Sequence, residues 1–266
     1  MARSALLNVM VQAAQKAARG LMRDLGEVEN LQVSLKGPGD FVSAADRRAE
    51  KVIYEELERA RPGYSFLMEE SGVIDRNSEH RWIIDPMDGT TNFLHSIPLF
   101  AVSLALETHG ELMASVIYNP ISEELFTAER GKGAFLNDRR MRVSARKDLS
   151  QSLIATGIPA LNRDKHSEYL YRQSLLMTRT AGVRATGSAA LNLAWLALGR
   201  FDGYMETGLS PWDIAGGMLM VREAGGFVSE PDPKASIYET GRLIAGNDVI
   251  HGKLRELANL PYPSTK

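Results

Sequence analysis

Apolar residues recur at Leu6, Met10, Ala13, Ala17 and Leu21 with Asn8, Gln12, Gln15 and Lys16 between them. That three- and four-residue spacing predicts an amphipathic first helix. A second helix is predicted from Ser43-Ala44-Ala45-Asp46, which has capping-box spacing, through Ala49, Ile53, Leu57 and Ala60 to the stop at Arg61-Pro62-Gly63. Between the two, Gly37-Pro38-Gly39 marks residues 26–40 as a loop or ragged hairpin. Short strands follow at 65–68 and 81–84, each running into acidic residues. Over 101–143 the period drops to two, in runs such as 102–106 and 113–118 broken by His109-Gly110 and Asn119-Pro120, which predicts a β-meander. Beyond Asp148 strands and helices alternate. Strands are expected at 153–156, Val183, Tyr204, Phe227 and 243–245, and helices at 165–178, 189–198, 211–223 and 249–258. An α+β half, residues 1–148, therefore leads into an α/β half, residues 149–266, and with no Ser/Gly/Pro-rich linker or repeat between them the whole of 1–266 is expected to be one unit.

Composition narrows the chemistry. With 31 Lys and Arg against 33 Asp and Glu, the chain has no basic field to hold nucleic acid or an anionic membrane nonspecifically. The absence of cysteine removes disulfides, thiolate zinc sites and cysteine nucleophiles, and fits a reducing cytoplasm. The longest stretch without Asp, Glu, Lys or Arg, residues 89–106, is interrupted by Thr90, Thr91, Asn92, His95 and Pro98 and fails as a membrane span. The polar residues inside the first helical pattern argue against a signal peptide. A cytoplasmic protein without a membrane partner is expected.

The informative residues are carboxylates at the ends of strands and the starts of helices. Glu69-Glu70 follows the first short strand, and Asp85-Pro86-Met87-Asp88-Gly89-Thr90-Thr91-Asn92-Phe93 follows the second. Neighbouring strand residues point to opposite faces, so Glu69 and Glu70 are not expected to serve the same point. Pro86 extends the backbone at Asp85, and Gly89 permits close approach, so Asp85, the Met87 carbonyl and Asp88 can converge. Such hard oxygen donors suit Mg²⁺, Ca²⁺ or Mn²⁺. A plain turn accounts for D-P-x-D-G equally well. Asp213 in Ser210-Pro211-Trp212-Asp213, and Asp46 after Ser43, can likewise be read as capping-box residues and nothing more.

The string 82–93, the upstream Glu69-Glu70-Ser71-Gly72 and the downstream Trp212-Asp213-Ile214-Ala215-Gly216-Gly217 resemble the signatures of the inositol monophosphatase family, in order and across nearly the whole chain. Leu125-Phe126-Thr127-Ala128, Gly187-Ser188-Ala189-Ala190-Leu191 and Val221-Arg222-Glu223-Ala224-Gly225-Gly226 are similar to its bacterial SuhB-like branch. The resemblance implies a layered αβαβα sugar-phosphatase fold with an antiparallel N-terminal sheet and a mixed C-terminal sheet, forming a single catalytic unit. It also implies a homodimer, lithium sensitivity, two or three Mg²⁺ ions, and hydrolysis of inositol monophosphate or another small phosphorylated polyol. By the same resemblance Glu69, Asp85 and the Met87 carbonyl hold a first metal, and Asp85, Asp88 and Asp213 a second, with a third near Glu69. Asp46, Thr90 and Glu69 form the catalytic set, in which Asp46 and Thr90 orient and deprotonate water. Gly89 and Thr90 offer backbone N–H groups to phosphate; Ser188, Ala189 and Glu206, with Asp88 and Asp213, face the substrate; Arg184 is a further candidate. Helix N-termini expected at Gly89 and at Ser188 suit an anion.

Other mechanisms lack their residues. There is no Arg-His-Gly triplet and no Walker A string, Asp85 and Asp88 are separated by two residues where a haloacid-dehalogenase pattern needs one, and the five histidines form no H-x-H or H-E-x-x-H pair. Within the superfamily the runner-up readings are a phosphoadenosine-phosphate or histidinol phosphatase, whose members usually carry Lys where this chain has Thr91, and a fructose-1,6-bisphosphatase, which the sequence leaves open. A different class of role, association with RNA polymerase or ribosomal RNA synthesis, is implied by the SuhB-like branch. It would use a patch of Arg130, Lys132, Arg139, Arg140, Arg142, Arg146 and Lys147, residues that serve equally as solvated hairpin faces. Trp195, Met218 and Met220 are expected in the core.

Overall fold

The computed structural model describes residues 3–28, 33–37, 40–158 and 166–262. Part of the expected 26–40 loop, including Pro38 and Gly39, and the expected helix start at Lys165 lie outside these residues.

The chain builds five layers. The outer one pairs α1 (Ala5–Leu25) with α2 (Ala44–Ala60), linked by a hairpin of β1 (Val33–Gly37) and β2 (Asp40–Ser43). Beneath lies an eight-stranded sheet formed by β3 (Ser65–Met68), β4 (Gly72–Ile74), β5 (His80–Asp88), β6 (Ala101–Thr108), β7 (Glu111–Asn119), β8 (Glu124–Glu129), β9 (Gly133–Leu136) and β10 (Arg139–Arg140), in the order β10-β9-β8-β7-β6-β5-β3-β4. A short helix α3 (Thr90–Leu94) follows β5. The second half supplies β11 (Leu153–Thr156), α4 (His166–Arg179), β12 (Gly182–Ala185), α5 (Ala189–Ala197), β13 (Gly203–Glu206), α6 (Pro211–Glu223), β14 (Phe227–Ser229), α7 (Ile237–Thr240), β15 (Leu243–Gly246) and α8 (Asp248–Ala258). Its five strands form a mixed sheet ordered β12-β11-β13-β15-β14.

The period of two distributes the core. Trp82 and Ile84 pack toward α1 and α2, whereas Ile83 between them packs toward α5 and α6. In the second sheet Ala155, Tyr204 and Leu243 join that same central core, and their neighbours Ile154, Met205 and Ile244 pack with Leu176 of α4 and Ile250 and Leu254 of α8. Both sheets are covered on both faces, which explains why β6 is buried at seven of its eight positions, an apolar run broken by Ser103 and ended by buried Glu107. Each large apolar side chain so buried contributes about 1.5–3 kcal/mol. Trp195 is partly buried against this core and Met218 and Met220 lie within it, as expected.

Several expectations require correction. The second short strand does not end at Ile84. It continues to Asp88, with its register to β6 shifting between Asp85 and Asp88, because Pro86 has no N–H for the ladder and the chain bulges there. The first sheet is antiparallel save for one pair: β3 lies parallel to β5, since the hairpin partner β4 takes the outer edge and leaves β5 the other side of β3. Glu69 and Glu70 stand in the turn after β3 and not on the strand itself, so strand alternation does not govern them. Strands β4 and β10 and helix α7 were not expected.

Candidate active site

The parallel pairing of β3 and β5 is what brings two acidic motifs together. Met68 is in register with Ile84, and the N–H of Glu69 donates to the Ile84 carbonyl at 3.2 Å, so Glu69, just past the end of β3, comes beside Asp85 at the start of the β5 bulge. The Glu69 side chain stands close enough to Asp85 to help raise its pKa. Asp85 is buried, and its Oδ1 accepts the Met87 N–H at 2.9 Å, closing the bulge on itself.

Three long helices point their N-termini at this region, each through an acidic residue. At α5, Asp88 Oδ2 accepts Ser188 Oγ and the Ala190 N–H, both at 2.6 Å. The anion at that helix start is therefore the protein's own carboxylate, and it ties β5 to the second half of the chain. At α6, Asp213 accepts the Ser210 N–H at 2.7 Å. At α2, Asp46 Oδ2 accepts the Ser43 N–H at 2.8 Å and Ser43 Oγ at 2.6 Å, while its Oδ1 accepts Thr90 Oγ1 at 2.9 Å. Thr90 also lies 3.2 Å from the Met87 carbonyl. The capping reading of Asp46 holds, and it leaves the second carboxylate oxygen to reach Thr90: Oδ2 caps the helix and Oδ1 accepts Thr90 Oγ1.

Gly89 precedes α3 with φ of 101°, and a Cβ there would stand 2.8 Å from the Leu99 carbonyl, so both backbone and space require glycine. Asn92 donates to the Leu99 and Thr186 carbonyls at 2.7 and 2.8 Å, fastening α3 to the segment before α5. Glu206, at the end of β13, accepts the hydroxyl of buried Tyr204. It also fills the space a Cβ on Gly157 would need, at 1.7 Å from Oε1. Arg184 is not brought into this set: it is exposed on β12 and donates to the Val183 carbonyl.

The electrostatics follow from burial. Asp85 is held well above the usual carboxylate range by desolvation, and further by the charges of Glu69, Asp88 and Asp213. Asp213 is raised in the same way, by burial first and then by Asp88. Asp88 is pushed up to about 6 by burial against the opposing bonds from Ser188 and Ala190, and Glu206 to about 7 by burial against the Tyr204 bond. Burial also raises Asp46, opposed by Ser43 and Thr90.

Among the described residues no three carboxylate or histidine side chains close into a ready metal cage. The donor set nevertheless fits a hard divalent cation. Asp85 is buried, the partly exposed Asp88 and Asp213 add their charge to it, no Lys or Arg pairs with any of them among the described residues, and the Met87 carbonyl, which accepts Thr90 Oγ1, lies between Asp85 and Asp88 in the chain. Buried carboxylates without a cationic partner must be neutralised by protons or by a bound cation, and oxygen-rich sets of this kind favour Mg²⁺-like ions. Sequence reasoning missed Tyr204, Asn92 and the Asp88–Ser188 link. Only Asn92 carried a signal, as the polar residue closing the D-G-T-T-N run.

The molecule is thus a layered α/β chain whose carboxylates gather at strand ends and helix starts, an arrangement that comparison with known proteins places in a family of enzymes. The model of the inositol monophosphatase family matches residues 2–260, and the chain belongs to that family: it is an inositol-phosphate phosphatase by class. It is 59% identical over 262 residues to an inositol-1-monophosphatase of Mesorhizobium japonicum, covering 98% of each chain. It is 42% identical to the Nus factor SuhB of Escherichia coli over 91% of each. The crystal structure of the extragenic suppressor protein suhB of Bartonella henselae superposes with a TM-score of 0.94 at 57% identity, over 97% of this chain and all of that one. The layered αβαβα architecture is common to these structures, and no described helix is long and apolar enough to cross a membrane.

Proposed function

We propose that the protein hydrolyses inositol monophosphate and related small polyol phosphates to the alcohol and phosphate, with Mg²⁺ held by Glu69, Asp85, the Met87 carbonyl, Asp88 and Asp213. The observation that carries this reading is the mutual repulsion of Asp85, Asp88 and Asp213 in a space with no cationic side chain against them among the described residues. When bound, Mg²⁺ supplies Lewis acidity and makes water a nucleophile at neutral pH. The protein's own groups do the rest. Asp46 and Thr90 form a hydrogen-bonded pair able to orient water and take its proton at Asp46 Oδ1. Backbone N–H groups at Gly89 and Thr90 bind phosphate oxygens. Glu206, seated by Tyr204 and Gly157, accepts hydroxyls of the leaving alcohol, with Ser188 and Ala189 nearby and Arg184 at the periphery. A homodimer, lithium sensitivity and a cytoplasmic setting belong to the same reading.

Phosphate release should be measured across inositol phosphates, fructose 1,6-bisphosphate, glycerol 2-phosphate, histidinol phosphate and phosphoadenosine phosphate, with Mg²⁺ and with EDTA. Inositol monophosphate should be among the best substrates and EDTA should abolish release. Turnover surviving complete chelation would remove the metal, and a strong preference for the nucleotide would replace the substrate. A second reading, association with RNA polymerase or RNA, is favoured by the relatives named Nus factor SuhB. It predicts that an inactive Asp46→Asn variant still binds such a partner. The cluster over 130–147 is already in part neutralised, Arg130 by Glu111, Lys132 by Glu129 and Arg146 by Asp202.

A further inference from the structure

Glu50 is the other buried carboxylate of α2, 2% exposed, and nothing in the proposed reaction uses it. It has no cationic partner among the described residues. Its Oε2 accepts the Glu70 N–H at 2.8 Å and its Oε1 accepts Ser71 Oγ. These two donors are the residues that follow Glu69 in the turn leaving β3. One helical turn earlier on the same face, Asp46 holds Thr90. The two carboxylates stand about 6 Å apart along the axis, at 1.5 Å per residue. A single rigid helix face therefore grips two separate loops, one bearing Thr90 and the other bearing Glu69.

A buried carboxylate is costly, and one held only by a backbone N–H and a hydroxyl could be replaced by an apolar residue if packing were all it served. What an apolar residue could not do is fix the 69–71 turn. That turn also closes the β3–β4 hairpin, where Met68 pairs with Gly72, and is tied to β5 by the 3.2 Å bond from the Glu69 N–H to Ile84. The Glu50 clamp adds a side-chain hold on the residues just after Glu69, opposite the Ile84 bond just before its side chain.

We infer that Glu50 is a positioning residue for cation binding: by clamping Glu70 and Ser71 it sets the Glu69 carboxyl against Asp85, and it couples that placement to the Asp46–Thr90 pair through α2. This rests on the assignment of Glu69 as a Mg²⁺ ligand. Hydrogen-bond partners that orient ligands typically change metal affinity ~10- to 100-fold when removed.

The test is Mg²⁺ affinity measured by calorimetry, alongside the melting temperature in EDTA. Glu50→Ala should weaken Mg²⁺ binding ~10-fold or more. Glu50→Gln should recover most of it, because its amide oxygen can accept the Glu70 N–H while its NH2 donates to a reversed Ser71 hydroxyl. A folded Glu50→Ala protein with parental Mg²⁺ affinity overturns the inference, whatever happens to its melting temperature, since a merely structural residue would lower only the latter. Glu50→Gln binding as weakly as Glu50→Ala also overturns it, by making charge the agent. Should Glu50→Ala not fold, Ser71→Ala removes one arm of the clamp, and unchanged Mg²⁺ affinity there is likewise decisive against it. If the parent binds no Mg²⁺ at all, the fault lies with the proposed metal site and not with Glu50.

Discussion

Helices α2 and α6 begin alike, with serine before the first turn and aspartate three residues later, yet the two aspartates are left in different conditions. Asp46 is bonded on both oxygens: two donors from Ser43 reach Oδ2 and Thr90 reaches Oδ1, which keeps a lone pair to spare. Asp213 receives the Ser210 N–H on one oxygen, and its other oxygen takes no hydrogen bond from the described residues. Burial raises the pKa of both, but at Asp46 every other influence opposes the rise, whereas at Asp213 the charges of Asp88, Glu69 and Glu206 add to it. The same local motif therefore yields one carboxylate bonded to a hydroxyl from another element and one whose surroundings are dominated by other carboxylates. The base and ligand roles proposed above for Asp46 and Asp213 rest on that difference. Tertiary surroundings decide between them, because the motif satisfies only one of the two oxygens in each case.

The largest effects should come from removing the charges. Asp46→Asn should cut turnover ~10²-fold or more with little change in substrate binding. It should also lower the metal-free melting temperature, since buried hydrogen bonds worth about 1 kcal/mol each are disturbed. Asp213→Asn should likewise abolish activity, but leave the metal-free protein as stable as the parent or more so, and shrink the stabilisation that Mg²⁺ gives the parent by mass action. Thermal melts of both variants in EDTA and in Mg²⁺ check this, and melting temperatures that move in the same direction would erase the distinction.

A smaller effect should appear with pH. A carboxyl whose pKa is raised on folding holds its proton longer in the native state, so the stability it contributes is present at low pH and is lost as pH rises toward the folded value. With Asp88 moving from 3.8 to about 6 and Glu206 from 4.5 to about 7, the metal-free protein should lose stability between about pH 4 and pH 7 from this source. Melting curves in EDTA should show that decline in the parent, less of it in Asp213→Asn, which removes another carboxyl whose pKa is raised on folding, and a flattened decline in saturating Mg²⁺. A parent flat in EDTA over the window would mean that burial does not hold Asp88 and Glu206 above their ordinary range. Smallest of all, Ser43→Ala should cost about 1 kcal/mol of stability, as for other lost caps, and reduce turnover much less than Asp46→Asn, because the Thr90 bond persists.

Much of the layered fold was legible because burial leaves a periodic trace. The starts of α2, α5 and α6 follow from their serines, and β3 and β11 from short apolar runs. The parallel pairing of β3 with β5 was not legible, since it depends on β4, a strand of three residues with no pattern to announce it. The motifs named Asp85, Asp88 and Asp213, but not the bonds from Ser188 and Ala190 to Asp88, which span 100 and 102 residues and exist only once both halves have packed. Glu50 left no trace because glutamate is an ordinary residue on a helix with a polar side, and only the structure shows that this one faces inward. Arg184 shows the converse: a charged residue near the right segment, turned back on its own strand.

The register of β3 against β5 has a consequence for how the molecule becomes active. Slipping β3 by one residue would displace Glu69 by about 3.3 Å along the strand and turn its neighbours to the opposite face. Because β3 is only four residues long, such a slipped sheet would keep nearly all of its ladder and most of its circular dichroism. Refolding this chain should therefore run on two clocks, an earlier one for regained backbone structure and a later one for regained turnover, and the interval between them would report the search for the pairing of Met68 with Ile84.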